Sequence, residues 1–300
     1  MSQGRGIKLF CSLAAVLCLL AGCVPKEVVP PTPPPPPKPA KIAVVLGAGA
    51  SKGFAHVGVL KVLETHRVPI HLIVGTSAGS FVGSLYAYGF DAFQLQRMAL
   101  ELQKDDVVDL IVPDNGFIRG EKLETYVNRM IRSSPLEKLR IPFHAVATNL
   151  QSGEETVFVT GNTGKAVRAS CSVPGVFQPV RIGDKAFADG GLVSPVAVDA
   201  ARRAGADVVI AVNISGGVGG TLPKGILDTL LQSVDIMYAK IAAAQIRNAD
   251  VVIAPKVGHI ASGDFEKRNE AILEGERAAV QTMPRIQEIL AKLRQEGRLP

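Results

Sequence analysis

The chain has 300 residues, 47% hydrophobic and 20% charged, enough to bury a full core and to exclude wholesale disorder. Lys and Arg number 33 against 27 Asp and Glu, a formal charge of +6. No dense basic run accompanies that excess, so it reads as a solvated surface, with a mild preference for anionic membrane as the second reading. With no Trp and only 5% aromatics, the composition excludes an aromatic stacking platform for single-stranded nucleic acid.

The first forty residues read as an address and a tether. Arg5 and Lys8 precede an apolar run from Leu9 to Leu20, too short for a bilayer span but suited to a secretory signal. The run ends at Leu20-Ala21-Gly22-Cys23, which resembles the lipobox of bacterial lipoproteins. That resemblance implies a signal peptide over 1–22, cleavage before Cys23, and acylation of Cys23 as a stable membrane anchor. Nine of the 20 prolines follow between Pro25 and Pro39. Residues 23–40 are therefore expected to be the lipidated cysteine and an extended polyproline tether, whose residues 24–39 hold the body up to about 50 Å from the lipid. By resemblance to the sorting rules of enterobacterial lipoproteins, Val24 rather than Asp after the cysteine implies an exported protein held at the outer membrane, on its periplasmic face. Of four cysteines only Cys171 lies in the body, which excludes an intrachain disulfide framework there and reads as a small buried apolar residue.

From Lys41 the pattern alternates strand and helix. The runs 41–47, 71–75, 206–215 and 250–255 are short, apolar and β-branched, as in strands buried on both faces. Helical spacing covers 53–66, 78–88, 91–102, 121–132, 196–205 and 224–248, with a turn at Pro113-Asp114-Asn115-Gly116. Residues 143–150 and 154–160 read as antiparallel neighbours, and 180–191 as a hairpin turning at Gly183-Asp184. Ile272, Ala279, Met283, Ile286, Leu290 and Leu293 form one apolar stripe interrupted by Glu276, with Pro284 a potential kink. The expected fold is α/β with a mostly parallel central sheet over 41–256, and a C-terminal helical extension over 257–300 packed on it.

Three motifs carry chemistry. Gly47-Ala48-Gly49-Ala50-Ser51-Lys52-Gly53 follows the first strand and opens a helix, a place where backbone N–H groups face an anion. A dinucleotide fingerprint fails because Lys52 stands where its third glycine belongs; a P-loop fails because Lys52 precedes Gly53. Gly75-Thr76-Ser77-Ala78-Gly79 has the strand–turn–helix context of a nucleophile elbow, with Ser77 pushed out of the turn. Asp189-Gly190-Gly191 closes the hairpin, and an Asp in that position is ordinarily an exposed turn residue. A serine nucleophile needs a base, and His259 alone follows Asp189 in the Ser…Asp…His order of conventional triads.

Taken in order, GAGASKGFAHVGVLKVLE, GTSAGSFVGSLYAYG, SCSVPGVFQPV and FADGGLVSPV resemble the bacterial patatin-like phospholipases, particularly their neuropathy-target-esterase subgroup. The resemblance spans about Lys41 to Pro255. It implies a three-layer α/β/α patatin-like fold and a Ser–Asp dyad, with Ser77 the nucleophile and Asp189 the base. It further implies an oxyanion hole from the N–H groups of Gly49, Ala50 and Ser51, with Lys52 holding the loop and Gly47, Gly53, Gly75, Gly79, Gly190 and Gly191 supporting the motifs. The implied partner is a phospholipid or lysophospholipid at a membrane, with no metal, no cofactor and no nucleic acid. Ala50 departs from the family's glycine-rich pattern and is strained if the position has positive φ. A small-ester carboxylesterase and a non-catalytic lipid-binding lipoprotein are the alternatives.

Overall fold

Ile42–Leu46 (β1) is a run of five buried residues, so both faces of the strand must be covered. It sits in the middle of an eight-stranded sheet. Leu72–Thr76 (β2), Phe143–Asn149 (β3), Val208–Val212 (β7) and Val251–Ile253 (β8) extend the sheet from β1 in parallel, β2 and β3 on one side and β7 and β8 on the other. Glu155–Phe158 (β4), Val180–Ile182 (β5) and Lys185–Asp189 (β6) add antiparallel strands at the β3 end. The computed structural model describes residues 36–111, 116–216 and 222–300. The expectations for the signal segment, Cys23, most of the proline tract and the turn at 113–115 lie outside those residues.

The alternation of side chains along the strands divides the core. Ile42, Val44, Leu46, Ile73 and Ile210 share one cluster with Phe54–Thr65 (α1), Ala78–Tyr88 (α2), Ala92–Glu101 (α3) and Arg268–Gln295, named α9 below. Ala43, Val45, Val74 and Val209 point the other way, against Val198–Arg203 (α7) and Ala242 near the end of Ile226–Gln245 (α8). This is the three-layer arrangement expected from the sequence. Lys104–Val107 (α4), Glu121–Met130 (α5) and Thr163–Ser170 (α6) complete the helices among the described residues. The sequence reading left α4 and α6 unassigned; α6 is only eight residues long and its start is fixed by Asn162, whose side chain accepts from Lys165 N–H.

The stripe on α9 is buried as its spacing requires, including Ile272, Ala279, Met283, Ile286, Leu290 and Leu293. Its charged interruption, Glu276, pairs with Lys61 of α1 at 2.7 Å. Pro284 lies within one uninterrupted helix. The backbones of α1 and α9 meet at two glycines: a Cβ on Gly58 would stand 2.0 Å from Ile272 O, and one on Gly275 2.0 Å from Ala55 O. No side chain rotation relieves a clash with backbone, so Gly58→Ala must push the helices apart. The expected cost is about 2–3 kcal/mol in denaturant unfolding, with the same for Gly275→Ala.

Candidate active site

Strand register brings two of the three motifs together. β4 and β6 both pair with Ala147 and Thr148, so they occupy opposite edges of β3. β2 and β4 both pair with Ala145 and Val146, so they too are on opposite edges. β6 therefore takes the same edge of β3 as β2, beginning where β2 stops. β2 ends at Thr76, opposite Val146; Asp189 lies opposite Ala147, the next residue. Ser77 and Asp189 thus meet at the carboxyl end of the parallel strands, although 112 positions separate them in the chain.

Ser77 turns the chain from β2 into α2 with φ 53° and ψ −123°, a conformation that costs a residue with a Cβ on the order of 1–3 kcal/mol. Hydrogen bonds on both sides hold it there. Ser77 N–H donates to Ser170 Oγ at 2.9 Å, and Ser170 Oγ–H donates to Val146 O at 2.5 Å, tying the elbow to β3. Ser77 O accepts from Ser80 Oγ–H and Ser80 N–H, each at 2.7 Å. The hydroxyl is left facing the cavity described below, at the N-terminus of α2, where negative charge is favoured.

The glycines of the first two motifs supply room rather than left-handed backbone. A Cβ on Gly79 would stand 2.0 Å from Leu46 O, one on Gly53 2.5 Å from Ala78 Cβ, and one on Gly75 2.6 Å from Gly79 O. A Cβ on Gly47 would crowd Val212 O at 2.9 Å. The left-handed positions are taken by residues with side chains, Ser77 and Ala50, the latter at φ 49°. The strain anticipated at Ala50 is therefore present. Ser51 N–H donates to Ser262 O at 3.2 Å and Ser51 Oγ–H to the same oxygen at 2.8 Å, so this amide is engaged in holding the loop. The N–H groups of Gly49 and Ala50 have no intramolecular acceptor among the described residues.

Two ionisable groups fix the loop from below. Lys52, 2% exposed, pairs with Asp235 of α8 at 2.9 Å, and Ser262 Oγ–H donates to the same carboxylate oxygen at 3.0 Å. His56 is fully buried and burial lowers its pKa to about 4. It is neutral at pH 7, and its Nε2–H donates to Gly47 O at 2.8 Å.

Asp189 is fully buried, unlike an ordinary Asp-Gly turn residue. Its Oδ1 accepts from Gly191 N–H at 2.7 Å, its N–H donates to Ser172 O at 2.8 Å, and its carbonyl accepts from Thr148 Oγ1–H at 2.8 Å. Oδ2 has no partner at hydrogen-bond distance. Burial raises the carboxyl pKa to about 6, opposed by the nearby Ser77 hydroxyl, the Gly191 N–H and the Tyr238 phenol. Gly190 and Gly191 leave space for this packing: a Cβ on Gly190 would lie 2.2 Å from Val146 O, and one on Gly191 2.3 Å from Tyr238 Cζ.

A cavity of about 360 Å³ opens from Ser77. Phe81, Leu85, Phe117 and Phe177 line it, together with Ala50, Ser51 and Tyr126. Cys171 lines it as well, with Sγ 3.7 Å from Ser80 Oγ; burial and the Asp189 charge push its thiol pKa far up, so the nucleophilic thiolate is disfavoured. His259 is half exposed and paired with Glu270 of α9, away from this cavity. His66 lies against Val62 O, and His71 Nδ1 accepts from Ile42 N–H. No histidine donates to or accepts from Ser77 or Asp189 among the described residues. Sequence reading missed Ser170, Ser172, Asp235 and Tyr238. Ser170 ends a short helix and Ser172 follows it; both open the SCSVPGVFQPV stretch, which carries the family resemblance without assigning either serine a role, and Asp235 and Tyr238 have no motif at all.

The fold and this site define an α/β protein that sets an elbow serine against a buried carboxyl beside a glycine-rich loop. The sequence model of the patatin-like phospholipase family matches residues 44–202, more than half of the chain, and the chain belongs to that family. It is 34% identical over 184 residues to an uncharacterized NTE family protein of Mycobacterium tuberculosis, covering 60% of this chain and 51% of that protein. It is 33% identical over 195 residues to the lysophospholipase NTE1 of Debaryomyces hansenii, covering 63% of this chain and 13% of that protein. The crystal structure of VipD from Legionella pneumophila superposes with a TM-score of 0.48 at 13% identity, over 83% of this chain and 67% of that one. The chain thus spans about half of the mycobacterial relative and a small part of the yeast one.

The raised carboxyl has a thermodynamic consequence independent of any reaction. With a pKa near 6 in the fold against 3.8 in its absence, Asp189 is neutral in both states below about pH 4. As pH rises, the unfolded carboxyl ionises past 3.8 while the buried one keeps its proton until about 6, so roughly 3 kcal/mol of stability is lost between about pH 4 and 6 and no more above it. Asp189→Asn is expected to raise resistance to denaturant relative to wild type at pH 8 and to lose that advantage at pH 4.

Proposed function

We propose that the chain is a serine acyl-ester hydrolase that releases fatty acid from phospholipids or lysophospholipids. The observation that carries this reading is the pairing of Ser77, held in a strained elbow and open to an apolar cavity, with a carboxyl whose pKa is raised to about 6. A serine hydroxyl needs a base, and an ordinary carboxylate is too weak to serve efficiently; burial moves Asp189 toward the working range. In acylation, Ser77 Oγ gives its proton to Asp189 as it bonds to the ester carbonyl carbon. The Gly49 and Ala50 N–H groups, which have no intramolecular acceptor among the described residues, donate to the resulting oxyanion, a role in which one donor is worth about 10²–10³ in kcat. The leaving alcohol takes the proton from Asp189, giving an acyl-serine. Asp189 then accepts a proton from water, the hydroxide attacks the acyl carbon, and Ser77 leaves with that proton as the fatty acid departs. Ser51 N–H joins the oxyanion hole only if it releases Ser262 O, so its first role is to brace the loop.

The apolar lining of the cavity suits one acyl chain, and the relative called a lysophospholipase supports a lipid ester as substrate. The N-terminal segment completes the reading: Cys23 carries the lipid anchor of an exported lipoprotein, residues 24–40 space the body from the outer membrane, and the substrate is taken from that surface. No helix of the described residues is long and apolar enough to cross a membrane. In a bacterial host, Cys23→Ser is expected to move the protein from the membrane to the soluble fraction.

Fluorophosphonate labelling and lysophospholipid hydrolysis test the chemistry. Wild type should be labelled, and kcat/KM should rise with pH to a plateau through an apparent pKa near 6. Ser77→Ala and Asp189→Asn should each lose roughly 10³-fold or more in kcat/KM, while His259→Ala stays within about twofold. An unlabelled, folded wild type would sink the reading in favour of lipid binding without turnover. Better turnover of short soluble esters than of lysophospholipid would move the substrate to small esters.

A further inference from the structure

One helix reaches both halves of the site. On α8, Asp235 and Tyr238 are three residues apart and share a face. Asp235 holds Lys52 and through it the glycine-rich loop. Tyr238, 3% exposed, packs with Ala48 of that loop and lies so close over Gly191 that a Cβ there would stand 2.3 Å from its Cζ, the carbon bearing the hydroxyl. The phenol oxygen has no hydrogen-bond partner, and neither has Asp189 Oδ2, although the phenol and the carboxyl are near enough to perturb each other's ionisation. Two buried polar atoms without partners in one small region are an uncommon and costly arrangement. One is a donor and the other, once ionised, an acceptor.

We infer that Tyr238 is a positioning residue for Asp189: its O–H donates to Oδ2 when the carboxyl ionises, stabilising the basic form and holding the carboxylate in place. This rests on the reading of Asp189 as the base. Tyr238 keeps its proton throughout, since burial and the Asp189 charge both oppose its ionisation and raise its pKa well above the ordinary phenol value. The other groups facing this carboxyl are the Ser77 hydroxyl, the Gly191 N–H and the Cys171 thiol, with Asp235 behind the phenol and itself paired with Lys52. Among these, Gly191 N–H already serves Oδ1, and the Cys171 thiol is a weak donor engaged near Ser80, so Tyr238 is the strong donor left for Oδ2 besides the nucleophile itself.

The full chain with Tyr238→Phe, which keeps the ring and its packing over Gly191, tests the inference. Loss of the donor should move the acidic limb of the kcat/KM profile up by about one pH unit. Activity on lysophospholipid should then be roughly fivefold lower at pH 6 yet within about twofold of wild type at pH 8.5. A purely structural role would scale the whole profile down without moving the limb, and that result overturns the inference. Stability gives a second readout that needs no turnover. Tyr238→Phe should lower Tm more at pH 8, where Asp189 is ionised, than at pH 4, and this pH dependence should vanish in the Asp189→Asn background. An equal Tm loss at both pH values would overturn the contact even if wild type proved inactive, whereas an inactive wild type with the expected Tm pattern would count only against hydrolysis.

Discussion

β3 is longer than the neighbour β2 beside which it runs, and the candidate site depends on what fills the edge that β2 leaves bare. β6 fills it from the opposite direction, so the last residue of one strand meets the last residue of the other across Val146 and Ala147. Ser77 is forced into a turn there because the next layer is helix, and Asp189 is forced inside because it continues a sheet edge. Neither placement needs the other side chain; both follow from backbone pairing. The raised carboxyl pKa is a result of that topology, since no turn at the surface would desolvate Asp189 to this degree.

Around this junction, the chain uses absence of side chains for closeness and accepts strain at two residues that keep a Cβ. Gly79 admits Leu46 O, Gly53 admits Ala78, and Gly191 admits the Tyr238 ring. Ser77 and Ala50 instead take positive φ with a Cβ in place. Such conformations persist only when neighbours over-determine them. Ser170 and Ser80 do this for the elbow, and the Lys52–Asp235–Ser262 cluster does it for the loop. His56, kept neutral by burial, anchors the first carbonyl of the loop without adding a charge to it.

Much of the architecture was legible because local signals agreed. Continuous apolar runs marked the doubly covered strands, hydrophobic spacing marked most of the helices, and Gly183-Asp184 marked the hairpin between β5 and β6. Helix α6 escaped because eight residues give little periodicity, and α8 stopped at Gln245 in favour of a tighter turn through Asn248. The burial of Asp189 was not legible at all. Asp-Gly-Gly has the same letters at an exposed turn as at the end of an interior strand, and only the pairing with β3 distinguishes them.

The sequence by itself determined the order of strands and helices, the elbow around Ser77, the glycine-rich loop and the family to which they belong. These are written in contiguous residues, where spacing and residue size suffice. The tertiary structure alone decided that Asp189 is buried at the end of the strand beside the Ser77 turn, that Ser51 N–H is taken by Ser262, and that Asp235 and Tyr238 approach from a helix far along the chain. Those relations depend on strand register and desolvation, which are properties of the assembled sheet and its layers rather than of any segment within them.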